Sequence, residues 1–283
     1  MDLKLEIETS IQEFDVANKK NKYPIYVPSK GRANLQNFTI DALKQSNLDY
    51  FIVVEPQDYD LYIQTQDKDH ILVMPENDQG IAYARNFCKK HSTNAGHLYH
   101  WQIDDNIKTF GKRIANKNLP CPAAECLLPV ESVVSQYTNI GLAGISHIMF
   151  AFAKANAIDF NKQIYSCFLV NNSNDIFWRS NTVDDTDYSL QTLEKGYCTV
   201  IFNRLLMNKA TTMKIKGGNT DSEYAGSGRL NRSLQLQKDW PKGEFKITEQ
   251  YGRVKIMPSR IWRSYKQTPE GNQKESTLES FML

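Results

Sequence analysis

Asp104, Asp105 and Asn106 put three oxygen-bearing side chains in a row. They close the run HLYHWQI (97–103), whose aromatic and apolar residues fall on alternate positions as in a half-buried strand. Two carboxylates and an amide at a strand tip suit a hard divalent cation, Mg²⁺ or Mn²⁺, held partly by protein and partly by substrate phosphates. A second acidic group, Asp184, Asp185 and Asp187, stands just before a helix-like run. Acids are favoured there by the helix dipole, but Asp185 can also serve as a general base toward an acceptor hydroxyl. Arg85 and Asn86 lie on a helical stretch that leads into the first acidic strand, placed to meet an anionic nucleotide group. Ser29, Lys30, Gly31 and Arg32 follow directly on the first apolar strand, where a chain meets the base or phosphates of a nucleotide.

The elements that must position these groups follow a simple alternation. Strand-like runs YPIYVPS, YFIVVE and ILVMP are separated by NLQNFTIDALKQSNL, helical in its apolar spacing, and by QDYDLYIQTQ. A further helix, IAYARNFCKKH, precedes the acidic strand. Strands alternating with helices imply a parallel, right-handed, Rossmann-like half, with ligands at the C-terminal strand ends. Residues 118–129, NLPCPAAECLLP, read as a loop between two halves. Beyond it come a helix in VESVVSQYTNIG, strands in AGISHIMFAFAKA and QIYSCFLVNN, a helix starting near Asp187 and stopping at Gly196, and a strand in YCTVIFNRLLM. The Gly- and Ser-rich stretch from Lys216 reads as mobile, with Lys216, Gly217 and Gly218 as a candidate lid. The tail from Gln267 reads as poorly ordered.

Composition limits the class of protein. The chain has 283 residues, 41% hydrophobic and 23% charged, so it can bury a sizeable core and is neither disordered nor fibrous. A net charge of +2 announces no nucleic-acid partner, yet residues 229–267 carry ten basic residues and three acids. The acidic N-terminus lacks the basic start of a signal peptide, and no apolar run approaches ~20 residues, so a cytoplasmic protein is expected. Five scattered cysteines support neither a disulfide framework nor a zinc site.

Taken in order, these motifs resemble a glycosyltransferase of the GT-A fold: a polar loop after the first strand, G-x-A-x-A-R-N on a helix, a strand ending in D-D-N, then D-D-T-D-Y-S-L-Q. IYVPSKGR with QIDDN and DDTDYSLQ is similar, more narrowly, to the TET-associated glycosyltransferases of bacteriophages, which act on hydroxymethylated pyrimidines in DNA. The resemblance spans roughly residues 23–202. It implies an α/β GT-A fold with a mixed central sheet, a UDP-sugar donor, and a metal held by Asp104, Asp105 and Asn106. Asn106 departs from the family's D-x-D motif, and Asp184 stands where the family usually has Glu. Asp185 matches the family's base. The implied donor set is Pro28, Ser29, Lys30, Gly31, Arg32, Glu55, Arg85, Asn86, Asp104 and Asp105. Asp184, Asp187, Lys238 and Trp240 are the candidates on the acceptor side. The expected divisions are an N-terminal extension 1–22, a nucleotide-sugar half 23–118, an acceptor half 119–228 and a basic aromatic region 229–283.

Those aromatics include Trp240, Tyr251, Trp262 and Tyr265, which can stack on an exposed base, or can belong to a core. The resemblance implies sugar transfer to 5-hydroxymethylcytosine in phage DNA with inversion at the anomeric carbon, arabinose and glucose being the candidate sugars. A saccharide acceptor and a non-catalytic DNA-binding module are the alternatives. A metal-dependent nuclease of the RNase H type is disfavoured, because IYVPSKGR offers no acid on the first strand.

Overall fold

A computed structural model of the chain describes residues 2–17, 19–35, 37–151, 156–210, 227–250, 253–256 and 260–271. The chain opens with α1 (Leu3–Gln12) and continues through β1 (Ile25–Pro28), α2 (Phe38–Gln45), β2 (Tyr50–Val54), α3 (Tyr59–Tyr62), β3 (Ile71–Val73), α4 (Gly80–Asn94) and β4 (Tyr99–Ile103). A hairpin of β5 (Ile107–Ile114) and β6 (Lys117–Cys121) follows, then α5 (Ala124–Val134), β7 (Ile140–His147), α6 (Ile148–Ala151), β8 (Ile158–Phe160) and β9 (Cys167–Asn171). After them come α7 (Asp184–Glu194), β10 (Cys198–Lys209), α8 (Gly228–Asp239), and a ribbon of β11 (Ile247–Gln250) and β12 (Arg253–Ile256).

Ten strands form one mixed sheet in the order β3-β2-β1-β4-β9-β7-β10-β5-β6, with β8 on β10. β1 pairs in parallel with β2 and β4, β2 with β3, and β7 with β10, while β9 runs antiparallel between β4 and β7. The C-terminal ends of β1, β2, β3, β4, β7 and β10 therefore lie along one edge, where β9 and β5 begin. The chain thus has the α/β architecture with a mixed central sheet that the sequence led one to expect.

Period-two alternation explains how the sheet is covered. Ile25, Val27, Tyr99, Trp101 and Ile103 turn to one face, where they share a core with Ile40 and Leu43 of α2 and with Leu127, Val130 and Val134 of α5. Tyr26 and Val53 turn to the other and pack on Ala84 and Cys88 of α4. Phe168, Val170 and Leu142 pack on that second face with Trp178 and Tyr188. Trp101 also donates its ring N–H to Glu131 of α5 at 2.8 Å, and Glu131 accepts Lys22 N–H at 2.7 Å. Burial of Glu131 raises its carboxyl to about 7 against those donors.

The loop expected over 118–129 is instead the strand β6 and the first half of α5, with Pro129 inside the helix. Proline costs about 3 kcal/mol there. Leu127, Leu128, Val130, Val133 and Val134, all buried, outweigh that cost. The helix expected near Asp187 starts at Asp184, so the acids form its first turn. In the C-terminal region, Leu236, Phe245, Ile261 and Trp262 pack on Leu190 and Leu193 of α7. The tail is not loose as far as Gly271. Glu270 and Thr268 carbonyls accept Thr138 N–H and Asn139 Nδ2, both at 2.9 Å. Lys216, Gly217 and Gly218 lie outside the described residues.

Candidate active site

The strand-end edge gathers most of the candidates singled out by their spacing. On the β1 side, Asp105 accepts Ser29 Oγ at 2.6 Å on one oxygen and Arg32 on the other. Tyr62 donates to Ser29 at 2.7 Å, so hydroxyl, hydroxyl and carboxylate form a chain into the sheet. Burial raises the Asp105 carboxyl, with Arg32 opposing. Gly31 holds a left-handed φ of 64° and its N–H is accepted by Asp58 at 2.8 Å, which turns the loop back over β2. Beside it, Lys30 bridges Glu55 at 2.9 Å and Asp78, and Glu55 itself is buried.

Asp104 turns the other way. Its two oxygens take Arg85 Nη2 at 3.2 Å and the Lys209 ammonium. Burial opposes ionisation of this carboxyl, but Lys209 and Arg85 outweigh it and hold the group down to about 2. The backbone around it is fixed from two sides. Thr39 Oγ1 of α2 donates to Asp104 O at 2.6 Å and accepts Ile107 N–H at 2.9 Å. Ser166, in the left-handed region at φ 63°, accepts Asp104 N–H at 2.8 Å, and its hydroxyl takes Lys209 at 2.9 Å.

Arg85 joins this acid to the head of α7. Its Nε donates to Asp184 at 3.0 Å, and Asp184 also accepts Arg232 at 2.8 Å. Burial works against Asp184 too, yet Arg85 and Arg232 keep its carboxyl below the ordinary range. Asp185 is different. Among the described residues its Oδ1 is buried without a hydrogen-bond partner, 3.6 Å from Arg85 Nη2. Burial first, and the Asp184 charge second, raise its carboxyl well above the usual value. A carboxylate that resists ionisation is a strong base once ionised, which suits it to take a proton from a hydroxyl.

Four cations, Arg32, Arg85, Lys209 and Arg232, thus face Asp104, Asp105, Asp184 and Asp185. Lys209, Ser166, Tyr62 and Thr39 escaped sequence reasoning. Arg232 was visible only as one of ten basic residues. Lys209 alone left a signal, a lysine that ends a long apolar strand.

Three candidates have other engagements. Asn86 clips the backbone of Trp178, donating to its carbonyl at 2.9 Å and accepting its N–H at 2.8 Å. Asp187, 1% exposed, is bound by Arg179 on both oxygens and accepts the Trp240 ring N–H at 2.8 Å. Trp240 packs against the C-terminal core, and Lys238, two residues before it on α8, is exposed. Pro28 ends β1 beside Ser29.

The profile of the TET-associated glycosyltransferases matches residues 23–218, more than half of the chain. The chain belongs to that family and is a glycosyltransferase that draws on a nucleotide-sugar donor. A crystal structure described as a nucleotide-diphospho-sugar transferase from Desulfovibrio desulfuricans G20 overlaps it with a TM-score of 0.40 at 11% identity, over 78% of this chain and 95% of that one. No curated protein matches the chain. Among the described residues no helix is long and apolar enough to cross a membrane.

The donor set also bears on a metal. Among the described residues no group of three or more His, Cys, Asp or Glu side chains forms a complete cage. Among the described residues Asn106 Oδ1 is buried without a hydrogen-bond partner, two positions after Asp104. An acid and an amide oxygen fit Mg²⁺ or Mn²⁺, which commonly takes its remaining ligands from water and substrate phosphates.

Proposed function

We propose that the protein transfers a sugar from a UDP-sugar to the hydroxymethyl group of 5-hydroxymethylcytosine in DNA, with inversion at the anomeric carbon. Family membership supports the donor class, and the narrower resemblance to the phage enzymes, with the basic region 229–267, supports a DNA acceptor. On this reading the reaction occurs in the cytoplasm of an infected bacterium, and arabinose and glucose are the candidate sugars. The observation that carries the mechanism is the buried Asp185 Oδ1, which has no hydrogen-bond partner among the described residues and lies 3.6 Å from Arg85 Nη2.

In this mechanism the β1 loop, from Pro28 to Arg32, and Glu55 hold the nucleotide. Asp185 takes the acceptor hydroxyl proton as the oxygen attacks the anomeric carbon, and the bond to the diphosphate breaks. Asp104, Asp105 and Asn106 would hold Mn²⁺ or Mg²⁺, which when bound would supply positive charge for the diphosphate. Arg85 and Lys209 add fixed positive charge beside the same carboxylate. Arg85 also keeps Asp184 ionised, and that charge keeps Asp185 basic.

The test of this assignment is Asp185→Asn, assayed for transfer and for UDP-sugar binding. Loss of a general base predicts a fall in kcat of about 10²- to 10⁴-fold with donor affinity retained. A variant that transfers at the wild-type rate would remove Asp185 from the mechanism.

A further inference from the structure

The acceptor half of the edge carries side chains that the mechanism above does not use. β7 ends at His147, and the short α6 beyond it leaves Met149 75% exposed and Phe150 49% exposed. Single exposed apolar residues are ordinary, but these two are adjacent and stand on a ring cluster. The Phe150 ring lies 5.9 Å from His147 and 6.0 Å from Tyr165, edge-on to the latter at 87°. Met149 N–H donates to His147 Nδ1 at 3.0 Å, which ties α6 to the strand end.

This cluster is continuous with the acids. Tyr165 directly precedes Ser166, whose hydroxyl takes Lys209 and whose carbonyl takes Asp104 N–H. The Asp185 charge is felt at the Tyr165 hydroxyl, and the Lys209 charge at His147. The ring cluster of exposed Phe150 therefore adjoins the acidic cluster through Ser166 and Lys209. Asp185 is recessed, with its side chain 23% exposed, so an intact duplex cannot lay a base edge against it. A base swung out of the stack can, and it needs an apolar or aromatic face to replace its lost neighbours. Charge suits the flanking phosphate. β5 starts at the same edge with exposed Lys108.

We propose that Met149, Phe150 and Tyr165 form the stacking lip for the acceptor nucleobase, which enters extrahelical with its hydroxymethyl group toward Asp185. This rests on the reading of DNA as the acceptor.

Phe150→Ala, Met149→Ala and Phe150→Tyr separate the two claims. Each is assayed for KM toward hydroxymethylated duplex and for UDP released without DNA, with 2-aminopurine opposite the target reporting base extrusion. Loss of one stacking face predicts a rise in KM of about tenfold for Phe150→Ala and a smaller rise for Met149→Ala. UDP release without DNA stays at the wild-type rate, the fluorescence change weakens, and Phe150→Tyr restores both. If the wild type modifies DNA and the alanine variants do so with unchanged KM and fluorescence, the lip is not the base site and the acceptor reading stands. If the wild type releases UDP but never modifies DNA, the acceptor reading fails and the nucleobase is removed as occupant.

Discussion

Arg85 is the residue on which the acidic cluster turns. One buried guanidinium binds Asp104 and Asp184 and lies 3.6 Å from Asp185, while its Nη1 has no hydrogen-bond partner among the described residues. Removing one side of a buried ion pair leaves uncompensated charge, so Arg85→Ala is expected to lower unfolding stability by about 3–5 kcal/mol in urea. A wild-type midpoint would show that solvent reaches the cluster. Arg85→Lys would not rescue it, because an ammonium cannot reproduce the fork between two carboxylates. The pH profile follows from Asp185. Its carboxyl is raised, and the base acts only when ionised, so kcat/KM rises with pH through an inflection above the ordinary aspartate value of 3.8. An inflection at or below 3.8 would assign the base elsewhere.

At the scale of elements, α4 does more than present Arg85. Asn86 clips Trp178, and Lys89, buried at 2% exposure, donates to Asn174 and to the Ile176 carbonyl at 2.6 Å. The segment that leads to the head of α7 is thereby fixed from one helix, and Trp178 stacks on Tyr188 of α7 at 3.8 Å. Asn86→Ala is expected to lower kcat several-fold, with KM for the donor near wild type, since the clamp sets the acids and not the nucleotide loop. A selective rise in donor KM would return Asn86 to the nucleotide. The sequence showed the A-R-N helix but not this use of it, because Lys89 in CKKH looks like any surface lysine until the 174–178 segment covers it. Glu131 of α5 gives a separate prediction. Its folded carboxyl, raised to about 7, keeps a proton that the unfolded chain releases near 4.5, so stability falls as pH rises from 4.5 to 7. The loss is up to about 3 kcal/mol, and Glu131→Gln should flatten that slope. An unchanged slope would place the titration elsewhere.

At the scale of the whole molecule, the sheet order makes the site. β4, β9, β7 and β10 are neighbours in space but not in sequence, so Asp104, Ser166, His147 and Lys209 meet only after the antiparallel β9 is inserted. The acids at 104–106 and 184–187 were legible because a strand end and a helix start mark themselves locally. Ser166 was not, since nothing local distinguishes it before long-range pairing, and Lys209 showed only as a lysine ending an apolar strand. The hidden helix over Pro129 has the same cause, a proline signal overridden by burial of its neighbours. The exposed lysines of the C-terminal region, Lys238, Lys242 and Lys246, carry the electrostatic side of the account. Replacing all three with alanine should reduce the slope of log K against log salt for DNA binding by roughly 0.9 per lost phosphate contact. An unchanged slope would move the DNA surface elsewhere.

The most direct test is transfer itself. The intact protein is incubated with Mn²⁺, a panel of UDP-sugars and duplex DNA with or without 5-hydroxymethylcytosine, and the digested nucleosides are weighed. The account predicts a mass gain of one sugar on the hydroxymethylated base alone. UDP release with no gain on any base would contradict it.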